Sequence, residues 1–329
     1  MSLNPNLPPV LRNLRIPAVA SPLFIISVPA LVIAQCKAGV VGSFPALNAR
    51  EGEGEAPLLD AWLTQIKEEL DRHNQANPDT PAAPYAVNQI VHRSNPRLER
   101  DIDICVQHEV PIWITSLGAR PEVNEAAHSC GGIALHDVIN NTFAKKAIEK
   151  GADGLIAVAA GAGGHAGEQS PLALIREIRE WFDGPLLLSG AIASGDSLLA
   201  AQAMGADLGY IGSPFIATEE ANAAADYKEM IVNSGAEDIV YSSLFTGVWG
   251  NYLKPSIKRA GMDPENLQRS DPTQMDFENR DKKPKSWKEI WGSGQGIGAV
   301  KDVVPVADLV GRIEREYNAA FERLKGMVG

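Results

Sequence analysis

Short apolar runs alternate with amphipathic stretches through the first two thirds of the chain. Runs of this kind predict strands that are buried in a parallel sheet. The predicted strands are Ile16–Ala20, Val40–Phe44, Tyr85–Gln89, Ile112–Ser116, Gly132–Leu135, Gly154–Ala159, Pro185–Ser189 and Leu208–Ile211. Helices are predicted between most of them, over Pro29–Ala38, Leu58–Asn74, Asn95–His108, Asn141–Gly151, Ser170–Phe182 and Ser194–Gly205.

This alternation favours a (β/α)8 TIM barrel, with an open doubly wound sheet as the main alternative. Two similar phrases favour the barrel. Lys150–Gly154 and Met204–Leu208 both contain the end of a helix, a glycine, Ala-Asp and the start of a strand. Successive units of one closed sheet would repeat in this way. We therefore predict that residues 1–220 form the barrel.

The pattern changes near Ala221, where helical and irregular stretches replace the alternation. Residues 221–329 are predicted to form a mostly helical segment that packs on the barrel. The polar, proline-containing stretch Asp263–Lys288 is typical of an excursion or lid. Val304–Val328 is amphipathic and is predicted to close the fold as a helix.

Composition limits the kinds of partner and compartment. The chain has 329 residues and a formal net charge of −11, which argues against nucleic acid or an anionic membrane as a partner. Its apolar runs are shorter than the roughly 20 residues of a membrane span. The three cysteines show no zinc-binding or CxxC spacing, so we expect no metal site and a reduced, cytoplasmic setting.

The strongest chemical signal is the stretch Ala159–Gly167, which places one histidine in a run of glycines and alanines. It directly follows a predicted strand. Glycines remove side chains, so the backbone can lie flat against a ligand. His165 is the one titratable side chain of this stretch and is the candidate catalytic residue. The alternative is a core histidine that is hydrogen-bonded to a backbone carbonyl.

Two further loops carry a phosphate-binding signal. Ser189–Gly195 and Gly212–Phe215 follow the seventh and eighth predicted strands and lead into helices. Backbone amides at helix starts bind phosphate, and in barrels these two loops often form one phosphate site. We therefore expect a phosphorylated ligand. A GxGxxG motif does not follow the first strand, so NAD bound as in a doubly wound fold is not expected.

Together these motifs resemble the nitronate monooxygenase family, historically called 2-nitropropane dioxygenases. The most specific element is Gly163–Gly167, with the sequence Gly-Gly-His-Ala-Gly. Supporting segments are Gly190–Gly195, Gly212–Glu220 and Trp291–Gly298. Ala20–Leu23 resembles the first flavin-contacting loop of the family, and Ala86–Gln89 resembles a loop in which an asparagine contacts the cofactor.

The resemblance implies an FMN that lies across the C-terminal ends of the barrel strands, with His165 as a base or hydrogen-bond partner beside it. The residues implied to bind FMN are Ser21, Pro22, Leu23, Asn88, Gly163, Gly164, Gly190, Ala191, Gly212 and Ser213. Of these, Ser21 to Leu23 and Asn88 would border the flavin ring. The amides of the last four would hold the phosphate.

The implied activity is the oxidation of alkyl nitronates, and of nitroalkanes where a base is present, by O₂ to a carbonyl compound and nitrite. Two alternatives stay open: an NAD(P)H-dependent FMN reductase of a quinone or enoyl substrate, and a non-catalytic barrel that binds a phosphorylated ligand. Asp137 departs from the family, since many relatives carry lysine there. A homodimer is also left open.

Aromatic residues at loop positions are candidates for an apolar substrate cavity. They are Phe24, Phe44, Phe245, Trp249 and Tyr252. The alternative is that they pack against the C-terminal segment. Asp153 and Asp207 stand at strand starts, on the face opposite the predicted site, and are expected to be structural.

Overall fold

Parallel strands form a closed central sheet in the computed structural model, which describes residues 5, 7–50, 57–267 and 289–328. The described residues form strands in two sheets. In chain order these strands are β1 Ala18–Ala20, β2 Gly42–Pro45, β3 Tyr85–Ile90, β4 Ile112–Ser116, β5 Ile133–Val138, β6 Gly154–Val158, β7 Gly164–His165, β8 Leu186–Ser189, β9 Leu208–Ile211, β10 Ile239–Ser242 and β11 Gly250–Leu253. Eight of them pair in the order β1-β9-β8-β6-β5-β4-β3-β2. A parallel bridge between Val19 and Val41 closes the ring. The predicted (β/α)8 barrel is confirmed.

Helices surround this barrel, and those for which bounds were predicted lie close to the predicted positions. They are α1 Pro29–Lys37, α2 Leu58–Ala76, α3 Leu98–Gln107, α4 Pro121–Ser129, α5 Asn141–Glu149, α6 Pro171–Arg179, α7 Gly195–Met204, α8 Ser213–Ile216, α9 Ala225–Val232, α10 Lys254–Arg259 and α11 Val306–Val328. Helix α4 was not predicted, because its buried face consists of Val123, Asn124 and Ala127 and gives a weak hydrophobic pattern. Among the described residues, no helix has the length and apolarity needed to cross a membrane.

The barrel interior is filled by apolar side chains, so it is a core and not a channel. Ile114, Leu135 and Ile156 belong to this core. Leu7 and Leu11, from the segment that precedes the barrel, are buried in the same cluster. A filled interior leaves the C-terminal ends of the strands as the place for a ligand.

The repeated Gly-Ala-Asp phrases have a structural explanation. Asp153 accepts hydrogen bonds from the amide of Ala134 at 2.7 Å and from His128 at 2.8 Å. Asp207 similarly accepts from the amide of Leu186 at 2.9 Å. Each aspartate therefore ties the start of its strand to the neighbouring strand, which confirms the structural interpretation of both residues.

A second, antiparallel sheet pairs β10, β11 and β7 in that order. Two of its strands lie in the segment for which helices and irregular structure were predicted. Its register places Gly250 opposite His165, so the histidine of the glycine run lies on a strand of its own. The closing helix α11 packs on α7. A Cβ added at Gly195 would lie 2.0 Å from the Tyr317 nitrogen. Most of the stretch expected to form a lid, 268–288, lies outside the described residues.

Candidate active site

A cavity of about 1530 Å³ opens over the C-terminal ends of the barrel strands. Every residue that the family resemblance implies to act in catalysis or FMN binding lines it. These residues are Ser21, Pro22, Leu23, Asn88, Gly163, Gly164, His165, Gly190, Ala191, Gly212 and Ser213. The structure thus brings together segments that are far apart in the sequence, from Ser21 to Ser213.

His165 is half-buried and stands in the short strand β7. Its Nε2 lies 3.0 Å from the hydroxyl of Thr246, which belongs to the loop between β10 and β11. Thr246 is not among the residues predicted from the sequence to act in the site. The sequence around it, Thr246–Tyr252, shows only a mixture of small and aromatic residues. The contact with His165 could not be predicted, because the two residues are 81 positions apart in the sequence.

The glycine run is supported from behind by the C-terminal segment. A Cβ at Gly163 would lie 2.7 Å from the Gly294 nitrogen, so this glycine is required by close backbone packing. The Asn251 side chain donates to the Ala162 carbonyl at 2.7 Å. Gly164 has a φ of +66° with open space where its side chain would be, so glycine is favoured there by conformation.

Two amides of the predicted phosphate loops already have hydrogen-bond partners within the protein. The amide of Ala191 donates to the Gly161 carbonyl at 3.2 Å, and the Gly195 amide donates to the Glu316 carboxylate at 2.9 Å. Ser194 caps the same helix through the amide of Ser197. One amide at the start of α7, that of Gly195, is therefore already paired with a carboxylate. Gly190, Gly212 and Ser213 stay the candidates for phosphate binding.

The loop after β1 has a strained backbone that is fixed by one buried asparagine. Ile25 has a φ of +70°, which is unfavourable for a β-branched residue. Its amide donates to the side-chain oxygen of Asn48 at 2.8 Å. The nitrogen of Asn48 donates to the carbonyls of Leu23 and Ser27, both at 2.9 Å. Strained residues that persist in this way cluster at functional sites.

Polar side chains at the ends of β3, β4 and β5 form a connected group in the cavity. Asn88 donates to the Ser116 hydroxyl at 2.7 Å, and Ser116 hydrogen-bonds the Asp137 carboxyl. Burial raises the pKa of Asp137 to about 6, because a low-dielectric site disfavours the charged carboxylate. Burial, with a smaller effect of Lys150, lowers the pKa of the neighbouring His136 to about 4.

The candidate aromatic residues divide between the cavity and the core. Phe24 and Trp249 line the cavity. Phe44 is buried and contacts Trp62, with ring centroids 5.7 Å apart. Phe245 and Tyr252 pack edge to face at 4.8 Å.

An aromatic pair that was not predicted from the sequence also lies in the cavity wall. Tyr227 stacks on Trp291 at 4.5 Å, and both rings line the cavity. The two residues are far apart in sequence and become neighbours only because the C-terminal segment returns to the barrel.

A filled barrel with a glycine-lined cavity over its strand ends defines a (β/α)8-barrel enzyme. The family model described as nitronate monooxygenase matches residues 11–316. The chain therefore belongs to the nitronate monooxygenase family, whose members are flavin-dependent oxidoreductases.

Individual relatives agree with this assignment. A nitronate monooxygenase of Paraburkholderia phytofirmans is 22% identical over 351 residues, which cover 94% of each protein. A Mycobacterium tuberculosis protein named as a monooxygenase is 28% identical over 218 residues, and that match spans about half of its length, 54%.

Solved structures share the fold across nearly the whole chain. FabK from Thermotoga maritima superposes with a TM-score of 0.74 at 21% identity, covering 97% of both chains. The nitroalkane oxidase from Streptomyces ansochromogenes gives a TM-score of 0.71 at 21% identity, covering 94% of this chain and 97% of that one. At this identity the likeness extends to the fold alone.

Proposed function

We propose that this protein oxidises alkyl nitronates with O₂ to a carbonyl compound and nitrite, with FMN as its cofactor. The observation that carries the proposal is the place of His165 on the cavity wall, where β7 fixes its backbone and Thr246 fixes its ring. The family assignment supports the same chemistry.

The residues of the cavity fit FMN. Gly190 and Gly212 present backbone to the cavity, and a Cβ at Gly190 would lie 2.9 Å from the Ala160 carbonyl oxygen. Together with Ser213, their amides would bind the phosphate, while Asn88 would hydrogen-bond the heteroatoms of the ring. When bound, FMN would supply the redox chemistry between the organic substrate and O₂.

His165 has a different task with each form of the substrate. A nitronate is already an anion, so a hydrogen-bonding imidazole need only orient it. A neutral nitroalkane must first lose a proton from carbon, and an imidazole is the side chain best suited to accept one near neutral pH. The proposal therefore gives His165 an orienting role for nitronates and a base role for nitroalkanes.

One observation favours the alternative of an NAD(P)H-dependent FMN reductase. The cavity volume of about 1530 Å³ exceeds the roughly 300–1000 Å³ of a typical site for one ligand. A second large ligand, such as a nicotinamide nucleotide, would fit beside a flavin. We keep this as the second candidate function.

Flavin content tests the cofactor assignment. The purified protein should be yellow and release FMN on denaturation. Gly190→Ala should lose most of its FMN, because Gly190 has a φ of +153° and a methyl group would press on the Ala160 carbonyl. Gly298→Ala is the matched control, since its side chain would meet open space. A colourless wild-type protein that does not take up FMN would refute the assignment.

A further inference from the structure

We propose that this protein prefers nitronates that carry a large, uncharged apolar group, and that β10 and the loop after it form the wall that selects this group. The inference rests on the proposed function, because it names the substrate class of the same site. Three residues form the wall, and all of them line the cavity: Tyr241, Val248 and Trp249. We call them the apolar wall.

The apolar wall lies directly beside His165. Ala166, the next residue in the chain, donates its amide to the Trp249 carbonyl at 3.1 Å. The carbonyl of Ala166 accepts from the Tyr241 hydroxyl at 2.8 Å. The wall is therefore joined to the histidine strand by two hydrogen bonds at one residue. A substrate whose reacting carbon is within reach of the imidazole has this wall as a neighbour.

Much of the hydrogen-bonding capacity of the wall is used inside the protein. The single hydroxyl proton of Tyr241 goes to the Ala166 carbonyl. The Val248 amide donates to the Thr246 hydroxyl at 3.3 Å. The rings of Tyr241 and Trp249 stack, with centroids 5.0 Å apart. The wall thus offers mainly carbon to a ligand, and burying a polar group against it without a hydrogen bond would be unfavourable.

The cavity has room for a long or bulky substituent. Its volume of about 1530 Å³ exceeds the roughly 300–1000 Å³ of a typical site for one ligand. A nitronate as small as that of nitroethane would leave the apolar wall in contact with water. A longer chain would cover the wall, and each methylene group that becomes buried strengthens binding about threefold to fourfold.

The charges around the cavity bear on whether the substituent is neutral. Burial, with a smaller effect of the Glu168 carboxylate, raises the pKa of Tyr241 to about 12, so the charge of Glu168 acts on the apolar wall. Glu168 lines the cavity and is exposed. A carboxylate on the substrate chain would meet a like charge there. The cations of the cavity, Arg50, Lys146 and Lys150, belong to other segments, after β2 and after β5.

The test compares the preformed nitronates of primary nitroalkanes from nitroethane to 1-nitrohexane, so that no proton has to be removed from carbon. We expect kcat/KM of the wild type to rise about threefold for each added methylene group. The nitronate of 6-nitrohexanoate has the same number of carbons as that of 1-nitrohexane but ends in a carboxylate. Its kcat/KM should be about tenfold lower or less, because the carboxylate would lose water against carbon.

Variants of the wall show whether it causes the rise. Trp249→Ala removes the largest ring and should reduce the rise to about twofold or less for each methylene group. Val248→Thr keeps the shape of the side chain but makes it polar, and should also reduce the rise. Trp181→Ala is the matched control, because Trp181 follows α6 and packs there, donating to the Asn141 side chain at 2.9 Å. It should keep the wild-type rise.

A wild-type kcat/KM that does not depend on chain length overturns the proposal, and so does an unchanged rise in folded Trp249→Ala. If Trp249→Ala does not fold, Val248→Thr gives the same test. A higher kcat/KM for the carboxylate-bearing nitronate than for that of 1-nitrohexane would also overturn it, because the cations would then select the substrate. A protein that oxidises none of the nitronates refutes the proposed function as well. A flat series in which every nitronate is oxidised refutes this inference alone.

Discussion

Two titratable residues, His165 and Asp137, line the same cavity in contrasting surroundings. His165 lies on the edge of the second sheet beside a hydroxyl. Asp137 lies at the end of a barrel strand, where burial raises the pKa of its carboxyl to about 6. Two groups in such different surroundings can have different tasks in one site, and each can be tested separately.

Replacing His165 should separate its two proposed roles. His165→Asn keeps a hydrogen-bonding side chain but removes the base. Turnover of a neutral nitroalkane should therefore fall by about 10²–10⁴-fold, while turnover of the corresponding nitronate falls about tenfold or less. Steady-state kinetics with both substrate forms measure the difference, with His73→Asn on helix α2 as the control. Equal losses with both forms would eliminate the base role.

Asp137 should make the stability of the protein depend on pH in a defined direction. The pKa of its carboxyl group is raised from 3.8 to about 6 in the folded state. Between these two pH values the carboxyl group keeps its proton in the folded protein and loses it in the unfolded protein. Stability is therefore lost as the pH rises from about 4 to about 6. Asp137→Asn should raise the free energy of unfolding by about 1–3 kcal/mol at pH 8 and by almost nothing at pH 4.

Urea unfolding of both proteins across this pH range, at equal flavin content, measures that effect. His136 acts in the opposite direction, because its lowered pKa removes stability as the pH falls from 6.5 to about 4. His136 is present in the wild type and in Asp137→Asn, so the difference between their free energies of unfolding reports the effect of Asp137. Asp302→Asn, at an exposed position, is the control. A difference that grows toward low pH would contradict the environment described for Asp137.

At the scale of elements, the loop after β1 depends on Asn48. Asn48→Asp keeps the acceptor for the Ile25 amide but loses both donors, to Leu23 and Ser27. It also buries a charge. We expect a loss of about 2–4 kcal/mol in stability and weaker FMN binding, because the strained loop would relax away from the cavity.

Thermal unfolding and FMN titration check this prediction. Asn222→Asp is the matched control, since Asn222 also donates to this loop, at 3.1 Å to the Ile25 carbonyl, but is exposed. Asn222→Asp should change the free energy of unfolding by no more than about 1 kcal/mol. Similar losses in the two variants would show that Asn48 does not clamp the loop.

The elements differ in how well the sequence predicts them, for physical reasons. The barrel strands are buried in a parallel sheet, so apolar runs such as Ile112–Ser116 stand out, and that range is identical in the structure. β7 has two residues, one of them glycine, and β11 begins Gly-Asn, so neither has a strand-like pattern. These strands form because the C-terminal segment returns over the barrel, and only tertiary pairing reveals them.

At the scale of the whole molecule, the C-terminal segment that follows the barrel completes the wall of the cavity. The glycines, His165 and the loops after the strands could be predicted, because ligands of barrels bind at the strand ends. Thr246 and the Glu316 carboxylate at the start of α7 could not, because their partners are distant in sequence.

The most direct test of the account is anaerobic mixing of the FMN-loaded protein with an alkyl nitronate, with NADH in a parallel cuvette. Flavin absorbance reports whether either compound delivers electrons to the site. We predict rapid bleaching by the nitronate and none by NADH. Bleaching by NADH, with an unchanged flavin spectrum after nitronate, would contradict nitronate oxidation and favour the reductase.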